Sequence, residues 1–349
     1  MNEALAAGPC DLFHRAAWAA FETACSDSTP LTHSFDVGGR TLEARFAGEA
    51  MLAQVLPALA HLQTAPAPAA DLRVAVWDSA STGQPLPTPP WRPDDQVSRG
   101  EIRGFDTGPD LRLALQGGSG ALSMLHPGSR RGMLWLDDAA RCPSWEAAAP
   151  LRGLLHWWCA PPRRQLVHGA AVGRDERAVL LTGKGGSGKS TTALTALLAG
   201  FDYLGDDYLL CDLATQGPLV HSLYNSAKVD AQTLRKLPGL PAAQPEPGEE
   251  KAVLYTREHF PAQLRRRAQL CAILVPRVTG ANQTSLHALS AAQAFLALAP
   301  TTLFQLPGAG RDAAGFLRRL VAALPCYELQ LGASPDSTLD AIENVLESA

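Results

Sequence analysis

The run VLLTGKGGSGKSTTALTALLAGFDYLG, from Val179 to Gly205, admits few folds. Val179, Leu180 and Leu181 form an apolar lead-in, and Ser190 to Leu198 reads as a helix ended by Gly200, which predicts strand, loop and helix in that order. Between them Gly183, Lys184, Gly185, Gly186, Ser187, Gly188, Lys189 and Ser190 fit the phosphate-loop pattern G-x-x-x-x-G-K-[ST] at every fixed position. Successive glycines let backbone N–H groups point into one concavity, and the positive end of the following helix adds to the attraction for phosphate oxygens. The pattern therefore predicts a nucleotide site over Gly183 to Thr191. Lys189 would reach the β- and γ-phosphates, and the Ser190 hydroxyl would ligate a bridging magnesium ion. Lys184 is read as solvated. A glycine-rich turn without a ligand leaves the Lys-Ser pair at the helix start unexplained.

With 349 residues there is room for about two ordinary domains, and 46% hydrophobic residues suffice for a core in each. A net charge of −4 argues against a nucleic-acid surface. The seven cysteines are scattered singly without a C-x-x-C pair, so they are read as reduced thiols rather than metal or redox ligands. The N-terminus carries Glu3 and Asp11 and no basic segment leading into an apolar one, unlike a signal peptide. No stretch has the length and apolarity of a membrane span. The expectation is a soluble, cytoplasmic protein with no membrane partner.

Along the chain, apolar spacing predicts helices over Met1 to Ala24, with Leu5 on its apolar face, and over Met51 to Leu62. Thr32 to Val37 and Leu42 to Phe46 flank Gly38-Gly39, a hairpin signal. Strands are expected at Leu72 to Trp77, Ile102 to Phe105, Leu111 to Leu115, Ala121 to Leu125 and Met133 to Trp135. A helix from Pro150 to Trp158 is stopped by Pro161-Pro162. This half reads as an α+β domain ending near Arg163. Beyond it, strands are expected at Gln165 to Val172, Tyr203 to Leu210, Val220 to Val229, Ala268 to Val275 and Cys326 to Leu331. Helices are expected at Ser290 to Ala299, Gly310 to Leu324 and Ser337 to Leu346. Interleaved strands and helices predict an α/β core over residues 164–349.

A carboxylate pair, Asp206-Asp207, arrives sixteen residues after Ser190. Adjacent residues on one strand point to opposite sides, so one can hold metal while the other accepts a proton from, or orients, an incoming hydroxyl.

Three segments together, VHG at Val167 to Gly169, TGKGGSGKST at Thr182 to Thr191 and AGFDYLGDDYLL at Ala199 to Leu210, resemble the HPr kinase/phosphorylase family and its HPr-kinase-like relatives. The resemblance implies a P-loop kinase core of HPr-kinase type using ATP and magnesium. Carried over by position, it puts His168 beside the carboxylates, Asp206 as base toward the acceptor hydroxyl, and Asp207 with Ser190 on the metal. The glycine-rich segment that supports phosphorolysis in bacterial HPr kinases has no counterpart here, and the N-terminal half differs from theirs. The W-D at Trp77, the HWW before Cys159 and YNSAK at Tyr224 to Lys228 look more like the HPr-kinase-like proteins of peptide-modifying systems, some similar to lasso-peptide precursor kinases. Lys228, near a strand end beside the site, resembles a lysine placed to meet the transferring phosphoryl; the alternative is a plain surface lysine.

Two lesser motifs were weighed. Leu289 to Gln293 has alanines where an ABC signature needs glycines, and a helix cap at Ser290 explains the same letters. Arg265 to Arg267 reads as a solvated charge run. The expected function is a kinase acting on a serine hydroxyl of a small protein or ribosomal peptide, with residues 1–163 recognising that partner. Rival readings are a small-molecule kinase or nucleotide hydrolase on the same fold, and a peptide-binding scaffold regulated by ATP. Oligomeric state is left open.

Overall fold

The computed structural model describes residues 8–27, 29–97, 99–105, 111–160 and 162–348. The expected helix start at Met1, Leu5 included, and Pro161 lie outside these residues. The chain is mixed α/β and divides into two compact units. One comprises Met1–Leu56, Gln63–Trp158 and Leu306–Gly308; the other comprises Pro57–Leu62, Cys159–Gln305 and Ala309–Ala349. Among the described residues no helix is long and apolar enough to cross a membrane.

The first unit is built on a seven-stranded sheet. After α1 (Pro9–Ser26) come β1 (Leu31–Val37) and β2 (Arg40–Phe46), an antiparallel hairpin whose Gly38 and Gly39 both take positive φ. Then follow α2 (Glu49–Leu59), β3 (Gln63–Thr64), β4 (Leu72–Asp78), β5 (Arg112–Leu115), β6 (Leu122–His126), β7 (Arg131–Leu136) and α3 (Arg152–Trp158). The sheet order is β3-β1-β2-β4-β7-β6-β5, with β2, β4 and β7 parallel. Phe13, Ala17 and Phe21 of α1 pack with Trp77, Met124 and Met133 in its core. The expected strand at Ile102 to Phe105 is instead two isolated bridges and a turn, because Gly100 and Gly104 both take positive φ and bend the chain on either side.

In the second unit β8 (Arg164–His168), β9 (Ala170–Arg174) and β10 (Arg177–Leu181) precede α4 (Lys189–Leu198). They are followed by β11 (Asp202–Gly205), β12 (Tyr208–Ala214), β13 (Gly217–Ser222), β14 (Ser226–Val229), α5 (Ala231–Lys236) and β15 (Ala252–Tyr255). The unit closes with β16 (Arg267–Val278), β17 (Ser285–Leu289), α6 (Ala291–Leu303), α7 (Arg311–Ala322), β18 (Cys326–Leu331) and α8 (Pro335–Ser348). The main sheet runs β11-β9-β10-β16-β13-β12-β8, with β18 joined to β16 and β17 to β18; β14 and β15 form a separate ribbon. Ser290 caps α6 through a reciprocal box with Gln293.

Both faces of the sheet are covered, and β10 records it. Val179 and Leu181 belong to one apolar cluster with Leu194, Leu197 and Ile342, whereas Ala178 and Leu180 belong to another with Leu298, Phe316 and Leu320. A strand buried on both sides reads as a continuous apolar run, which is how Val179 to Leu181 reads in the sequence.

Three expected strands are broken. Gln165 to Val172 divides at Gly169 into β8, which pairs with β12, and β9, which pairs with β10 and β11. Tyr203 to Leu210 splits into β11 and β12, because β11 pairs with β9 while β12 pairs with β8. Strands β8 and β11 stand at opposite ends of the path, yet β8 passes into β9 through Gly169 alone and β11 into β12 through Asp206-Asp207. The sheet must curl until its two edges meet at these links. Val220 to Val229 likewise splits into β13 and β14 around Asn225. There the Asn225 amide donates to Pro57 O at 2.7 Å and Ala58 O at 2.9 Å, satisfying carbonyls at the end of α2.

Candidate functional site

The site lies where the curled sheet closes, beside the glycine loop that joins β10 to α4. Thr182 N donates to Leu274 O at 2.9 Å, so the loop leaves the sheet only after a last ladder bond to β16. Gly183, Gly186 and Gly188 have φ of 141°, 76° and 106°, values that side-chain-bearing residues rarely adopt. A Cβ on Gly188 would also stand 2.5 Å from Leu331 Cδ1, whereas Gly185 and Gly186 face open space. Lys189 is only 7% exposed and its ammonium folds back onto the loop, donating to Gly183 O at 2.8 Å and Lys184 O at 3.1 Å. Burial lowers its proton affinity, opposed by the nearby Asp206 and Asp207.

Asp206 and Asp207 are not on a strand. They form the link between β11 and β12, Asp207 has φ of 75°, and the alternation expected of neighbouring strand residues does not apply. The two carboxylates nevertheless have different partners. Asp206, 3% exposed, accepts a hydrogen bond from the Ser190 hydroxyl and another from Asp207 N at 2.9 Å. Burial raises its pKa, with the Ser190 hydrogen bond opposing.

Asp207 Oδ2 accepts from Lys228 Nζ at 2.7 Å, and Oδ1 lies 3.1 Å from His168 Nε2. Burial would raise this carboxyl, but the His168 hydrogen bond and the Lys228 charge outweigh it and hold Asp207 well below the usual carboxylate range. Ser190 meets Asp206 rather than the expected Asp207, and His168, expected beside the pair, meets Asp207.

His168 reaches this position through backbone pairing. It lies opposite Tyr208 in the β8/β12 ladder, Gly169 N donates to Asp207 O at 3.0 Å, and the Thr302 hydroxyl lies 3.1 Å from His168 N. A Cβ at Gly169 would stand 2.7 Å from Leu181 O, so glycine is required where this link crosses the end of β10. Lys228 is carried on β14, opposite Val253 of β15.

The expected residues His168, Gly185, Gly186, Gly188, Lys189, Ser190, Thr191, Asp206, Asp207 and Lys228 line one cleft of about 840 Å³. Gly183 and Ser187 complete the loop behind it. Lys236 and Lys251, Gln232 and Thr233 also line the cleft. Sequence reasoning missed these, because α5 is only six residues long and Lys251 follows a Pro-rich stretch without a pattern. Thr302 was missed as well, sitting in a helix with nothing in the sequence to distinguish it.

Among the described residues no group of three His, Cys, Asp or Glu is placed to hold a metal alone. Magnesium needs no such cage, since it takes one or two carboxylates and completes its shell with phosphate oxygens and water. Ser190 and Asp206, already in contact, fit that demand. The Ser187 hydroxyl is buried without a partner at the loop, and the loop's open concavity fits phosphate oxygens.

No protein-family model and no curated protein sequence matches this chain. Among solved structures it is similar to the Hpr(Ser) kinase/phosphatase from Coxiella burnetii, at 9% identity and a TM-score of 0.31, over 52% of this chain and 95% of that one.

Proposed function

We propose that the chain is an ATP- and magnesium-dependent kinase that transfers the γ-phosphoryl to a serine hydroxyl of a small protein or ribosomal peptide. Its second unit would be a P-loop kinase core of HPr-kinase type, and residues 1–163 would supply recognition. The single observation that carries this reading is the cleft itself. A glycine loop with an inward lysine, a hydroxyl on one carboxylate, and a second carboxylate held by His168 and Lys228 share one wall-to-wall space.

The geometry favours a division of labour opposite to the one implied by position. Ser190 and Asp206 would hold magnesium, which would supply positive charge to the phosphates during transfer. Lys189 leaves the Gly183 and Lys184 carbonyls to meet phosphate oxygens, and the loop N–H groups hold them. Asp207 receives the acceptor O–H, while His168 fixes its orientation. As the new O–P bond forms and the bond to the leaving diphosphate breaks, the serine proton passes to Asp207. The depressed proton affinity of Asp207 makes it a weak base, so its contribution is mainly orientation of the hydroxyl, with proton uptake late. Lys228, within reach of Asp207, stabilises charge on the moving phosphoryl group.

The test is γ-labelled ATP with magnesium against serine-containing peptides and small hydroxyl compounds. Label on a peptide serine is expected. Label on metabolites alone, or release of inorganic phosphate alone, would replace this reading with a small-molecule kinase or a hydrolase.

A further inference from the structure

The cleft has two chemically unlike walls. On one, Val278 and Leu331 at the ends of β16 and β18 and Pro335 at the start of α8 offer apolar and small surfaces without charge. On the other, the β14/β15 ribbon and α5 present Lys228, Lys251 and Lys236. The register makes this wall: Val229 lies opposite Ala252, which brings Lys251 across from Asp230, the residue that caps α5. Lys228 is engaged by Asp207. Among the described residues neither Lys236 nor Lys251 has a carboxylate within 4 Å, although both face the cleft, and Lys251 is close enough to Lys189 to oppose its charge. Against them that wall carries one carboxylate, Asp230, which caps α5 and lies near Lys251, so an excess of positive charge is left to attract an anionic occupant. On the kinase reading the nucleotide's phosphates would take the loop and Lys189, leaving the lysine wall for another anion.

We infer that the lysine wall is the acceptor subsite and that the acceptor peptide carries a carboxylate side chain beside the serine, seated on Lys236 and Lys251. This rests on the kinase reading above. The wall then selects acidic over neutral sequences and draws them in by charge, an effect that weakens as salt rises.

The experiment uses the full chain with magnesium and a non-hydrolysable ATP analogue. Binding is read by fluorescence anisotropy for labelled serine peptides flanked by Asp or by Asn. Transfer from ATP to the same peptides is measured alongside. The Asp peptide should bind roughly fivefold or more tightly than the Asn peptide, and Lys236→Gln and Lys251→Gln should each erase much of that preference. Equal affinity for the two peptides, or no binding of either, overturns the inference. So does a preference that survives both substitutions while nucleotide affinity falls, because the lysines would then serve the nucleotide. A lysine-dependent preference without transfer leaves the anionic subsite standing and removes the kinase reading. Transfer without preference does the reverse.

Discussion

Lys228 Nζ donates to Asp207 Oδ2 at 2.7 Å, tying the β14/β15 ribbon to the link between β11 and β12. The two side chains are 22% and 20% exposed, so the pair faces the cleft rather than lying sealed in the core. With His168 on the other oxygen, both Asp207 oxygens are engaged, whereas Asp206 shares a hydrogen bond with Ser190. The chain thus separates two neighbouring carboxylates by giving each its own partners.

That separation sets the first expectation. Asp206→Asn should weaken magnesium-dependent nucleotide binding. Asp207→Asn should keep binding and lose transfer by about 10²- to 10⁴-fold, the range for removal of a general base, toward the low end if orientation dominates. Titration of magnesium nucleotide and single-turnover transfer separate the two. The opposite pattern would restore the assignment implied by position.

Lys189→Ala should keep the fold at a cost of about 1–3 kcal/mol, because the buried Gly183 carbonyl loses its donor whereas the Lys184 carbonyl belongs to an exposed residue. Transfer should fall on the order of 10²- to 10³-fold, the usual loss when a preorganised charge at the reacting group is removed. Circular dichroism checks the fold and labelled-phosphate transfer checks the loss. A folded variant that transfers at the parental rate would remove the loop from the reaction.

Much of the site was legible because its parts are local. The glycine loop, its lysine and the following helix are one continuous segment, and β10 announces its double burial as an unbroken apolar run. The link at Asp206-Asp207 passes for part of one strand because Tyr203-Leu204 and Tyr208 to Leu210 flank it with strand residues, yet Gly205-Asp206-Asp207 is itself a turn signal, and there the chain changes partner from β9 to β8. Thr302 and Asn225 act through contacts 134 and 168 residues away, and no local pattern encodes such distances. Lys236 and Lys251 are placed by a two-stranded ribbon whose second strand follows a Pro-rich stretch.

Asn225 is 1% exposed and uses every polar group it has. Its amide donates to Pro57 O and Ala58 O, its N–H donates to Ala58 O, its side-chain oxygen accepts from Arg257 N at 3.3 Å, and its carbonyl accepts from Thr256 N at 2.7 Å. Asn225→Ala should cost about 1–3 kcal/mol in urea unfolding, toward the low end, because the half-buried Pro57 O loses its donor and Arg257 N its acceptor. Transfer should fall with it, since Lys228 lies three residues further on. Unchanged stability would show that water replaces the amide. This also bears on any fragment starting near Arg163, which lacks Pro57 to Leu62 and should be less stable than the full chain for the same reason.

Acid should destabilise the protein through histidines rather than through the carboxylates of the site. Burial lowers His61 to about 3 and His156 to about 3, and neighbouring arginines add to it in both. Unfolded, each titrates near 6.5. A group whose folded pKa is depressed is neutral in the native state, so the unfolded chain binds the extra proton and stability falls with pH. The loss begins near pH 6.5 and continues to about pH 3, with up to one proton taken up per histidine on unfolding. Asp207, depressed below the carboxylate range, keeps its contribution until about pH 4, where the unfolded carboxyl begins to take up its proton, and goes on losing it in stronger acid. His61 Nε2 lies 2.7 Å from the Ser222 hydroxyl, and Gln at this position keeps a polar group there without a titrating one. Urea midpoints measured from pH 8 to pH 4 should therefore fall less steeply in His61→Gln than in the parent. Parallel curves would show that His61 is not among the groups that take up protons on unfolding.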